Sequence, residues 1–75
     1  MSVTVYTKPA CVQCDATKRL MDKLGVEYST VDITVDTDAF DMLIAKGFQA
    51  APVVITDEDS WAGFNPDKIG ELAGN

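Results

Sequence analysis

A chain of 75 residues, 47% of them hydrophobic, holds one small domain, residues 1–75, with a packed core; it is too apolar to be a disordered chain. Twelve acidic residues against six basic ones give a net charge of −6, which excludes a nucleic-acid binder, because such binding neutralises phosphates with basic side chains. No apolar run approaches the roughly 20 residues of a membrane span, and Met1-Ser2-Val3-Thr4-Val5 lacks the basic and apolar regions of a signal peptide, so the expected location is the cytosol.

Val3-Thr4-Val5-Tyr6 alternates and is rich in β-formers, which predicts a strand from Ser2 to Thr7. Lys8-Pro9-Ala10 breaks it. A helix follows, with Ala16, Leu20, Met21 and Leu24 on its inner face and Gly25 as the cap. Glu27 to Ile33 reads as a second strand. Asp36 to Lys46 predicts a short helix with Phe40, Leu43 and Ile44 inward, closed by Gly47. Ala51-Pro52-Val53-Val54-Ile55-Thr56 is the most apolar strand, Asp57-Glu58-Asp59 an acidic turn and Ser60-Trp61-Ala62 a returning strand. Asn65 then offers an N-cap, Pro66 a first helical residue, and Ile69, Leu72 and Ala73 a buried stripe. The order β-α-β-α-β-β-α implies an α/β domain with a four-stranded mixed sheet, antiparallel at one edge, and helices on both faces.

The chemistry lies in Cys11-Val12-Gln13-Cys14, at the junction of the first strand and first helix. Two intervening residues let one helical turn bring both sulfurs together. The helix N-terminus contributes a partial positive charge and unpaired N–H groups, which lower a Cys pKa below its free value near 8.5. Lys8, Lys18, Arg19 and Lys23 are four of the six basic residues, whereas ten of the twelve acids lie from Glu27 onward. That asymmetry favours a thiolate near the pair, or is ordinary solvated charge. Cys11, at the mouth of the helix, is expected to face solvent and attack. Cys14, inside the first turn, is expected to be buried and to resolve the mixed disulfide.

Three readings compete with a redox dithiol. A structural disulfide is rare in the cytosol, and a loop this short would stabilise little. A mononuclear zinc site normally takes four Cys or His ligands, and the chain has two Cys and no His. Two inert core cysteines do not suit a strand-to-helix junction. Trp61 and Phe64 are either core or, if exposed beside Cys11, a docking surface. Asp57-Glu58-Asp59 reads as a solvated turn, with Asp59 as an alternative proton acceptor for Cys14.

The strand, CxxC and helix together resemble a thioredoxin-fold protein of glutaredoxin size. Val5-Tyr6-Thr7-Lys8-Pro9-Ala10-Cys11-Val12-Gln13-Cys14, Ala51-Pro52-Val53-Val54 and Trp61-Ala62-Gly63-Phe64-Asn65-Pro66 resemble the NrdH-redoxin family over nearly the whole chain. The resemblance implies a glutaredoxin-like sequence with thioredoxin-like behaviour, reduced by NADPH-dependent thioredoxin reductase and delivering electrons to the large subunit of class Ib ribonucleotide reductase. It also implies that Pro52 is a cis-proline facing the dithiol, with the backbone of Ala51 left free for an incoming extended segment. Lys8, Val12, Gln13, Ala51, Pro52, Trp61, Gly63 and Phe64 are the expected partner-contacting set around catalytic Cys11 and Cys14. The expected protein is a monomer with no bound cofactor or metal, NADPH acting only through the reductase.

Ala62 and Asn65 depart from the family's W-S-G-F-R-P segment, whose Ser and Arg organise a hydrogen-bonded loop. A glutathione-dependent glutaredoxin is the nearest rival, but its Gly-Gly-Asp-type helix start is replaced here by Phe64, and Lys8 is the only evident anchor for a carboxylate. A rival of another class is a dimeric module that shares zinc or an iron–sulfur cluster through two Cys pairs.

Overall fold

In the computed structural model, which describes residues 2–74, the alternation at the N-terminus becomes strand β1, Val3–Thr7, with Val3 and Val5 buried. Helix α1, Val12–Leu24, starts at the Cys11 N-cap and ends at Gly25, whose φ of 76° is the left-handed conformation that glycine adopts without steric cost. Strand β2, Ser29–Asp32, is shorter than the expected 27–33. It pairs with β1 only from Thr4↔Ser29 to Thr7↔Asp32, and the Asp32 carboxylate then accepts from the backbone N–H and hydroxyl of Thr34, turning the chain away.

Helix α2, Thr37–Ala45, is capped by Asp36, whose side chain accepts from the Ala39 N–H at 3.0 Å. Strand β3, Val53–Thr56, begins after Pro52, two residues later than expected. Strand β4 is Ser60–Ala62, and helix α3, Pro66–Gly74, starts beside Asn65, whose Oδ1 accepts from the Lys68 N–H at 3.2 Å.

The sheet order is β2-β1-β3-β4, with β1 and β2 parallel and the other two pairs antiparallel. This is a thioredoxin-like fold. The register aligns Val5, Val54 and Trp61 in one row on one face. There they join Val3, Met21 of α1 and Ile69 of α3 to form the core. Because side chains alternate along a strand, Val53 points to the opposite face, where it shares a groove with Leu43 of α2.

Four expected core residues lie outside it. Phe40 and Ile44 are 44% and 50% exposed, because α2 is the lone helix on its face and no second helix closes over them. Leu24 and Ala73 stand exposed in the last turns of α1 and α3. The buried residues of α1 are Cys14, Thr17 and the expected Met21, with the expected Leu20 packed partly buried against the core. The Thr17 hydroxyl is satisfied within the helix, donating to the Gln13 carbonyl at 2.9 Å.

Candidate active site

The turn from β1 into α1 passes through Ala10, whose φ of 56° lies in the left-handed region, and delivers Cys11 to the N-cap in extended conformation. Sulfur therefore does what a Ser or Asp oxygen usually does at this position. Cys11 Sγ accepts the Cys14 backbone N–H at 3.1 Å, while the Cys11 carbonyl accepts from Asp15 N–H. Cys11 and Cys14 are joined as a disulfide with their Cα atoms 5.2 Å apart. In the dithiol form the same N–H and the helix dipole are placed to stabilise negative charge on Cys11.

Cys11 does not stand open to solvent as expected. It is 8% exposed and Cys14 0%. Capping draws Sγ onto the helix end, and the Ala51 carbonyl oxygen lies 3.9 Å away on the other side. The remaining access is to Cys11 alone. Val12 projects beside it at 83% exposure.

Two further segments converge on the pair. The Ala51–Pro52 bond is cis. Pro52 in turn holds the third segment, its carbonyl accepting the Gly63 N–H at 2.8 Å. Gln13, the second residue between the cysteines, reaches the same turn: its Oε1 accepts the Phe64 N–H at 3.1 Å. A hydrogen-bonded loop thus exists here without the family's Ser and Arg, whose places are taken by Ala62 and Asn65. Gly63 has φ of 83°, which calls for glycine, and a Cβ on it would lie 3.3 Å from Gln13 Oε1, a tight contact. The Gln13 contact spans 51 positions and carries no local sequence signal.

Phe64 is 40% exposed and rims the site. Lys8 and Ala51 border the groove of about 350 Å³ between α2 and the sheet, with Phe40, Ile44 and Phe48 supplying its apolar wall. Trp61 does not belong to the contact surface. Its ring is buried in the core, because register with Val54 turns it toward α1 and α3. Asp59 is likewise drawn elsewhere. Its carboxylate accepts from Ser60 N–H and from the Lys68 ammonium at the surface, where Lys68 also lies 5.8 Å from the Trp61 ring centroid. Among the described residues, no three Cys, His, Asp or Glu side chains are grouped to hold a metal ion.

A dithiol at the start of α1, on a four-stranded mixed sheet and beside a cis-proline, defines a thiol–disulfide oxidoreductase of the thioredoxin fold. The family model described as Glutaredoxin matches residues 3–61. The glutaredoxin-like protein NrdH of Salmonella typhimurium is 49% identical over 72 residues, spanning 96% of this chain and 89% of that protein. Its Escherichia coli counterpart is 43% identical with the same coverage. The solved structure of NrdH-redoxin from Escherichia coli superposes with a TM-score of 0.96 at 41% identity, covering 100% of this chain and 99% of that one. The chain belongs to the glutaredoxin family and, within it, to the NrdH-redoxins.

Proposed function

We propose that this chain is a protein electron carrier, taking two electrons from thioredoxin reductase and passing them to the large subunit of class Ib ribonucleotide reductase. The observation that carries this reading is the apolar rim of the site. Val12 and Phe64 stand exposed beside the dithiol, and the first turn of α3 carries the acidic Asp67. Such a rim suits a segment of a protein and opposes the two carboxylates of glutathione. The solved Escherichia coli relative is described as having a thioredoxin-like activity profile, which supports the same reading.

In the reaction, the Cys11 thiolate attacks one sulfur of the client disulfide, and the client's other sulfur leaves as a thiolate that takes up a proton. Cys14, once deprotonated, attacks Cys11, closing the Cys11–Cys14 disulfide and releasing the client's second thiol. Reductase returns two electrons to the pair. NADPH enters only through that enzyme, and the carrier itself works as a cytoplasmic monomer with no bound cofactor.

Reconstitution of NADPH, thioredoxin reductase, this protein and class Ib ribonucleotide reductase tests the proposal. The expected result is NADPH oxidation and deoxyribonucleotide formation that both require this chain. Turnover supported only by glutathione and glutathione reductase would replace it with the glutaredoxin reading.

A further inference from the structure

We propose that Gln13 is a positioning residue that sets thiol selectivity: its side chain keeps the start of α3 from serving small anionic thiols. The inference deepens the proposed function and rests on the reading that the dithiol serves proteins rather than glutathione.

The start of a helix normally presents free N–H groups and a positive dipole end, a ready site for a carboxylate. Around the start of α3 several of these donors are spent or missing. Pro66 has none, and the Lys68 N–H is taken by Asn65 Oδ1 at 3.2 Å. The Phe64 N–H is taken by Gln13 Oε1 at 3.1 Å, an acceptor that comes from within the CxxC motif itself. The same oxygen sits where a Cβ at residue 63 would meet it, so clasp and turn are fitted to each other. The Gly63 N–H bond to Pro52 then anchors the turn beside the cis-proline. A thiol carrying a carboxylate, entering to reach Cys11, finds the Phe64 donor occupied and an acidic residue, Asp67, in the first turn of α3.

Reduction by glutathione gives a readout. One glutathione thiolate attacks Cys11 Sγ, forming a mixed disulfide and expelling the Cys14 thiolate, which is protonated. A second attacks the glutathione sulfur of that adduct, yielding glutathione disulfide and the Cys11 thiolate.

Gln13→Met keeps length and volume but cannot accept a bond, whereas Gln13→Glu keeps the acceptor oxygen. Each variant is assayed for kcat/KM with glutathione and with thioredoxin reductase, and the ratio is compared with wild type. An exposed hydrogen bond of this kind is worth about threefold to tenfold in an equilibrium. Gln13→Met is expected to shift the ratio toward glutathione by about that factor, through KM rather than kcat. Gln13→Glu, which keeps the acceptor and adds a negative charge, is expected to show no shift toward glutathione. An unchanged ratio in Gln13→Met, or a shift equal in both variants, overturns the assignment. Hydrogen exchange on the wild-type protein gives a reading that needs no variant to fold: the Phe64 amide is expected to be protected, and free exchange there overturns the clasp. If wild type accepts glutathione as readily as the reductase, the proposed function fails, while the role of Gln13 is still decided by the change in ratio.

Discussion

Cys11 carries two loads on one sulfur, closing the end of α1 and serving as the accessible member of the dithiol. The two can be separated by substitution. Cys11→Ser keeps a good capping atom and loses the nucleophile, so it should abolish turnover while leaving the reduced fold close to wild type. Cys11→Ala loses both, and urea unfolding under reducing conditions should show it less stable than the Ser variant by roughly 0.5–1 kcal/mol. Cys14→Ser leaves attack intact and removes resolution, so it should accumulate covalent adducts with clients, visible by non-reducing electrophoresis. Their absence would reverse the roles assigned to the two cysteines.

At the scale of elements, the β3–β4 hairpin is tied to α3 by Asp59 and Lys68. The Lys68 ammonium holds the Asp59 carboxyl below its ordinary 3.8, helped by the Ser60 N–H, and Asp59 in turn raises Lys68 above 10.5. For Asp59, the lowered folded value means stability present above pH 3.8 and lost as the pH falls through that lower value. For Lys68, the raised value means stability present below pH 10.5 and lost as the pH climbs through the higher folded value. Both groups are exposed, so the effect on overall stability is small and screened by salt. The measurement that checks it is an NMR titration of the Asp59 carboxyl carbon, which Lys68→Met should move toward 3.8. An unmoved titration would mean that the pair does not persist in solution. Neither partner announces the other in the sequence, where they stand nine positions apart across a turn. The order of strands and helices was legible, because alternation, caps and breakers are local signals. Which helical face is covered was less so. Phe40, Leu43 and Ile44 share one pattern, yet only Leu43 is buried, since covering depends on how many helices share a side of the sheet.

For the molecule as a whole, one small core bears most of the stability. Met21 is fully buried where α1 meets β1, β3 and α3. Met21→Ala should cost about 2–5 kcal/mol, a large part of the roughly 5–15 kcal/mol that holds a domain together. In a domain of this size each kcal/mol lowers Tm by about 4–8 °C, so calorimetry should register a fall well above 5 °C. A smaller fall would show that the surrounding side chains collapse into the space. The CxxC motif and its strand-to-helix junction are legible in the sequence, because both are contiguous. The closing of three segments around the dithiol is not. Gln13, Pro52 and Gly63-Phe64 are distant along the chain and meet only in the folded structure.

The complete burial of Cys14 also bears on chemical damage. Peroxide and electrophiles reach the pair through Cys11 alone, so that sulfur meets an oxidant first. A sulfenic acid formed on Cys11 has the Cys14 thiol within disulfide reach and condenses with it to the ordinary disulfide with loss of water. The wall that hides one cysteine thus turns an oxidative hit on the other into a normal intermediate of the working cycle.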